Sequence, residues 1–244
     1  MAEISLDEVE KLDADQQELH KKIKEIAIKN GLTAKGLQPV LDGVADIKGY
    51  QTSSPKIMWV LKGAYPASEG NDEYYIWDCW NMKEHNIPTW IPLIKILYGL
   101  RHHLETSKRI ELCDMKDVNQ KMLDDFKKTA YINICKVPYD HEDDDLNEQA
   151  ELWRDIVKQQ VKLYSPDVII FGGTYDIIKD HDVFTGNILV DKTPTEEIAH
   201  IYKNPEGTLL FSAWHPAYPY VYKKDLLDHY VDEIADKIYM SCRE

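Results

Sequence analysis

Long apolar runs are missing from these 244 residues: no stretch approaches the roughly 20 consecutive apolar positions that a membrane-spanning helix needs, so a spanning protein is not expected. Cysteine is scarce as well. Cys79, Cys113, Cys135 and Cys242 are scattered without a CxxC pair. That argues against a zinc ribbon or an iron–sulfur cluster and fits reduced thiols in a cytoplasmic chain. The start, Met1 to Asp13, is acidic and lacks the basic-then-apolar pattern of a signal peptide. Positive charge is in deficit, with 29 Lys plus Arg against 43 Asp plus Glu and a formal net charge of −14. Duplex binders normally present a basic surface, because phosphate neutralisation supplies most of their non-specific affinity. Any nucleic-acid contact is therefore expected from a local basic patch. Internal repeats and low-complexity linkers are also absent.

What is present belongs to a globular chain. Hydrophobic residues make up 43% and charged residues 30%, and the length suffices for one domain with a full core. Residues 1–45 read as an N-terminal helical arm and 46–244 as an α/β domain. In the arm, Ser5 with Glu8 forms a capping-box pattern, Leu19, Ile23 and Ile26 recur at helical spacing, and Gly31 suits a helix end. Pro39 to Pro55 reads as loop and turn.

Four short apolar runs follow: Lys56–Lys62, Ala130–Cys135, Asp167–Phe171 and Thr208–Ala213. Their length and β-branched content suit strands buried on both faces of a parallel sheet. A helix is expected after the second run, with Leu146, Ala150, Trp153, Val157, Val161 and Tyr164 on one face. Two more are expected over Ile91–Leu104 and Asp225–Tyr239. The alternation predicts a three-layer α/β/α fold around a central, mainly parallel four-stranded sheet. Ligands in such sheets bind beyond the carboxyl ends of the strands.

Those ends carry Leu61-Lys62-Gly63-Ala64-Tyr65-Pro66, then Asn133 followed by Lys136-Val137-Pro138, then Gly172-Gly173-Thr174, and finally Trp214-His215-Pro216-Ala217-Tyr218. Between the second and third lie Gln159 or Gln160 near a helix end and the Ser165-Pro166 turn. In order and spacing, over about residues 55–240, this resembles the uracil-DNA glycosylase superfamily. The resemblance implies excision of uracil or another deaminated base without metal or cofactor. His215 would stabilise charge developing on the departing base, and Asn133 would read the base edge with its carboxamide. Tyr74, Tyr75 or Trp77 would stack on the base, with Gly63, Tyr65 and Tyr218 at the pocket wall. Where many members carry a water-activating carboxylate or Asn, this chain has Gly63, which leaves Asp72 and Asp78 as the preferred candidates among Glu69, Asp72, Glu73 and Asp78. Tyr220, Tyr222, Lys223 and Lys224 fall where relatives enter the minor groove.

Each residue has a plainer reading too. Asn133 inside an apolar strand requires a partner, either a base or a backbone group. The aromatic residues at 74–80 and 218–222 suit core and loop packing, and Asp140–Asp145 suits a solvated helix start rather than a metal site. The same pocket would equally serve a non-catalytic binder of nucleobases, nucleotides or DNA. The N-terminal helices would serve as a docking element for a protein partner, and no membrane contact is expected.

Overall fold

A computed structural model describes residues 4–63, 74–77, 89–110, 118–138, 146–181, 183, 186–190, 199–218 and 227–242. Helix α1 (Leu6–Lys29) starts at the expected capping box: Ser5 Oγ accepts from the Glu8 amide, and the Glu8 carboxylate accepts from the Ser5 amide. It ends at Asn30, followed by Gly31 with φ of +69°. The four apolar runs form β3 (Ile57–Leu61), β5 (Ala130–Asn133), β6 (Val168–Gly172) and β9 (Leu209–Ala213). The expected helices are α3 (Trp90–Thr106), α5 (Leu146–Tyr164) and α7 (Leu227–Ser241).

The sheet corrects the expectation of four strands. With β2 (Gly43–Val44), β7 (Ile188–Leu189) and β8 (Ala199–Lys203) its order is β2-β5-β3-β6-β9-β8-β7, seven strands among the described residues. The inner four, β5, β3, β6 and β9, are parallel, while β2, β8 and β7 are antiparallel additions. The edge strands escaped notice because two are only two residues long and β8 has partly exposed positions, so none reads as an apolar run. Within Pro39–Pro55, expected to be loop, lie β1 (Val40–Leu41), β2 and the short α2 (Ile47–Thr52). Asp46 caps α2 by accepting from the Gly49 amide. β4 (Tyr74–Tyr75) pairs with β1 in a separate parallel ladder. The remaining helices are α4 (Gln120–Lys127) and α6 (Tyr175–Asp180).

Side chains alternate across the sheet, as a period of two requires. Trp59, Tyr131, Ile170 and Phe211 pack with α3 and α7 on one face. Met58, Val60, Ile132 and Leu210 pack with Leu12 of α1, Ala150 and Val157 of α5, and Ile178 of α6 on the other. Helix α1 is fixed to the sheet edge through Gln16, whose amide donates to the Val44 carbonyl and accepts from the Val44 N–H, at 3.1 and 2.8 Å. No described helix is long and apolar enough to cross a membrane.

Candidate functional site

The strand register brings four chain segments to one end of the sheet. Leu61 is opposite Asn133 across β3 and β5, and Gly172 is opposite Ala213 across β6 and β9. Gly172 lies where these segments approach closely. A Cβ there would sit 2.9 Å from Leu61 Cδ2 and 3.0 Å from Pro216 Cδ, so those side chains would have to shift. Gly173 has φ of +70° and faces the His215 backbone, and its N–H donates to the Ala213 carbonyl at 2.8 Å. Thr174 Oγ1 donates to the Val60 carbonyl at 2.8 Å, tying this turn to β3.

His215 follows β9 in a turn that is pinned twice. The Tyr218 N–H donates to the His215 carbonyl at 2.8 Å, and the buried Tyr230 hydroxyl donates to the Trp214 carbonyl at 2.9 Å. The Ala217 N–H donates to His215 Nδ1 at 3.3 Å. A neutral ring with Nδ1 accepting carries its proton on Nε2, so the half-buried imidazole has a donor at its far nitrogen.

Asn133 ends β5 at 1% exposure, and its Nδ2 has no hydrogen-bond partner among the described residues. An amide donor so placed is costly, about 1–3 kcal/mol. Its backbone is held by an unusual device. β2 covers β5 only through Gly43 and Val44, so the ladder stops short of Asn133. The Asp42 carboxylate continues it, accepting from the Asn133 N–H at 2.6 Å. Asp42 is itself fully buried against Lys136, also fully buried, with Nζ at 2.9 and 2.8 Å from its two oxygens. Gln160 of α5 closes the ring, accepting from Lys136 Nζ at 2.6 Å and donating to Asp42 Oδ1 at 2.7 Å. Burial holds the Lys136 ammonium below the usual lysine range, with Asp42 opposing that shift. All three ammonium protons are engaged, so Lys136 fixes the strand end and is not disposed to act as a nucleophile.

On the far side of Asp42, its main-chain carbonyl lies 2.9 Å from Nε2 of the buried His20 on α1. The His20 ring meets Tyr75 edge-on at 5.7 Å and Trp77 at 6.2 Å. Tyr75 and Trp77 stack on each other at 5.0 Å.

Of the residues expected from sequence, Gly63, Asn133 and His215 therefore belong to the carboxyl end of the parallel core. Tyr75 and Trp77 sit beside His20, and Tyr218 is exposed at 41%. Tyr65, Asp72, Asp78, Tyr220, Tyr222, Lys223 and Lys224, with the acidic run 140–145, lie outside the described residues. Between the two glutamines, Gln160 is the buried one, whereas the exposed Gln159 accepts from Lys22. Asp42 and His20 were missed altogether. The available signal was helical phase: His20 shares the face of Gln16, Leu12 and Leu19, and Gln160 that of Val157 and Tyr164.

A groove of about 450 Å³ opens at the opposite end of the sheet, lined by Lys158, Lys162, Ser165, Asn204 and Thr208 among others. Its turn residue Asn204 is already occupied, Oδ1 accepting from the Thr208 N–H at 2.7 Å. Among the described residues no group of three His, Cys, Asp or Glu side chains is disposed to hold a metal. No model of a known protein family matches the chain, and no curated protein matches it.

Proposed function

We propose that the carboxyl end of the parallel core is a nucleobase pocket and that the protein is a DNA glycosylase-like hydrolase acting on uracil or another deaminated base. The observation that carries the reading is the buried, unpartnered Nδ2 of Asn133. A keto oxygen of a base supplies the acceptor this donor lacks. The His215 tautomer supports the catalytic half of the reading. As the N-glycosidic bond breaks, negative charge develops on the base oxygens, and an Nε2–H donor fixed before the reaction stabilises it without reorganisation. Asp42, Lys136 and Gln160 hold the strand that carries the reader.

A second reading is a binder that does not hydrolyse. Gly63 favours it, since a residue without a side chain cannot polarise water, and so does the net charge of −14. Excision from labelled single- and double-stranded oligonucleotides containing uracil, hypoxanthine or xanthine separates the two. Cleavage that falls by about 100-fold or more in both His215→Ala and Asn133→Ala is the expected result. Cleavage that survives in both variants refutes the catalytic assignment. Base binding without cleavage leaves the second reading.

A further inference from the structure

We propose that the groove at the amino end of the parallel strands binds a small organic phosphate, its anionic head between Lys158 and Lys162 of α5 and its apolar body against Val161, Pro166 and Val183. This site is at the opposite end of the sheet from Asn133 and stands independently of the nucleobase reading.

The space is of the right order: about 450 Å³ falls within the range of small-molecule sites, and a bare phosphate ion would leave most of it unfilled. One wall is set by helical phase. Ala150, Trp153, Val157 and Tyr164 bury one face of α5, and Lys158 and Lys162, one turn apart, line the groove beside it. Neither ammonium has an ion-pair partner among the described residues. The acid nearest Lys158 in sequence, Asp155, is taken by Arg154 at 3.4 Å, and Glu151 by the same guanidinium at 2.9 Å. Like charges four apart on a helix repel slightly, a cost that an anion between them reverses. The carboxyl end of a helix itself disfavours an anion, so side chains must hold the head. Neutral donors are at hand. Asn204 Oδ1 accepts from the Thr208 N–H at 2.7 Å, and the Asn204 N–H donates to the Thr208 carbonyl at 3.1 Å. These bonds fix the Asn204 amide and leave its Nδ2, like the Thr208 hydroxyl, without a partner among the described residues. Both residues line the groove and are partly exposed, so a ligand can reach them. Ser165 adds an exposed hydroxyl from a backbone at φ of +45°, where a helix end usually carries glycine or asparagine. One acid, the exposed Glu206, also lines the groove; with two lysines the lining is still net positive, in a chain of net charge −14. Two ammonium groups with several neutral donors match a phosphate monoester, which carries roughly two negative charges and three acceptor oxygens at pH 7. A carboxylate, with a single charge, satisfies them less well.

Phenyl phosphate is the probe, with inorganic phosphate and benzoate as comparisons, each titrated into the full chain by calorimetry. The expected result is that phenyl phosphate binds at least about tenfold more tightly than either comparison, and that Lys158→Gln/Lys162→Gln weakens it by at least about tenfold. Glu206→Gln, which removes the one acid of the lining, is expected to tighten it. The substituted side chains are all at least partly exposed, so the variants are expected to keep the wild-type melting temperature. Absence of phenyl phosphate binding overturns the proposal, as does binding unchanged in the double lysine variant. Inorganic phosphate binding as tightly as phenyl phosphate overturns it too, because the groove then selects no organic body. A second measurement needs no variant: in ¹⁵N-labelled wild type, the Ser165 and Thr208 amide signals move on saturation with phenyl phosphate and that of Asn133 does not. Movement at Asn133 with none at Ser165 and Thr208 places the ligand elsewhere, and the proposal fails.

Discussion

Replacing Asp42 by asparagine isolates the charge on which the strand end depends. The ammonium of Lys136 is fully buried, and its ionic partner among the described residues is Asp42, at 2.8 Å. Breaking a buried ion pair from one side costs about 3–5 kcal/mol, because the remaining charge has lost its compensation. The amine has an alternative, which is to give up its proton. Starting from an ordinary lysine value near 10.4, that costs roughly 5 kcal/mol at pH 7, about 1.4 kcal/mol less for each unit of higher pH. The two routes agree in size and make a joint prediction. Asp42→Asn should lose about 3–5 kcal/mol at pH 7, and part of the loss should return by pH 9. The sign follows from linkage. In the variant the folded lysine sits below its unfolded pKa, so the unfolded chain binds more protons and stability rises with pH. Urea unfolding followed by circular dichroism, at pH 7 and pH 9 with the slope checked for constancy, measures both. The double variant Asp42→Asn/Lys136→Met removes both charges and should recover at least about 2 kcal/mol over Asp42→Asn. A single-variant loss below about 1 kcal/mol, a loss independent of pH, or a double variant no more stable than Asp42→Asn would each refute the reasoning.

Two further outcomes are expected from stability alone. At Gly43, with φ of +151°, an alanine methyl would strike the Tyr164 hydroxyl and Gln16 Oε1, which are hydrogen-bonded to each other, Gln16 Oε1 also accepting from the Val44 N–H. Neither can move freely, so Gly43→Ala should cost roughly 1–3 kcal/mol from overpacking plus strain. Gly36→Ala, with φ of +79° and open space around its Cβ, should show only the backbone strain. Equal losses for the two in thermal or urea melts would contradict the packing argument. For His20, the folded pKa lies below the ordinary 6.5. Its contribution is complete above that value and is lost as pH falls through the folded pKa, with a slope of at most about 1.4 kcal/mol per pH unit. Wild type should therefore lose stability more steeply than His20→Gln between pH 6.5 and pH 5, as urea midpoints would show.

How far the fold could be read from the sequence follows from where burial leaves a pattern. The runs at Ile57–Leu61 and Val168–Gly172 are buried at every position, so they stand out as uninterrupted apolar stretches. Helix α5 shows its phase through Ala150, Trp153, Val157 and Tyr164. By contrast, Gly43–Val44 becomes a strand only because β5 lies beside it, which is a tertiary fact without local signature. The site divides in the same way. Asn133 and His215 are recognisable because they follow apolar runs directly. Asp42 and Lys136 are 94 positions apart and charged, and charged residues are ordinarily exposed. Their burial is decided by each other's presence and by Gln160, which no window of sequence contains.

The two ends of the sheet are held by different polar devices. At the amino end, Asp167 takes the Lys56 N–H on its carboxylate at 2.7 Å, gives its own N–H to the Lys56 carbonyl at 2.9 Å, and accepts from the Leu209 N–H at 3.0 Å. The groove there is bordered by a turn whose asparagine is already bonded. At the carboxyl end, a fully buried carboxylate, ammonium and carboxamide are assembled around Asn133 and His20. Asn133 Nδ2 and His20 Nδ1 have no hydrogen-bond partner among the described residues. Buried orphans of about 1–3 kcal/mol each would be expensive ornaments in a structural role. Hydrophobic replacements of similar shape would remove the cost, and buried ion pairs are often replaceable by such residues without loss of stability. On the nucleobase reading, the open donor of Asn133 makes sense because a ligand acceptor completes it. That places the search for substrate at the end of the sheet where Asn133 lies.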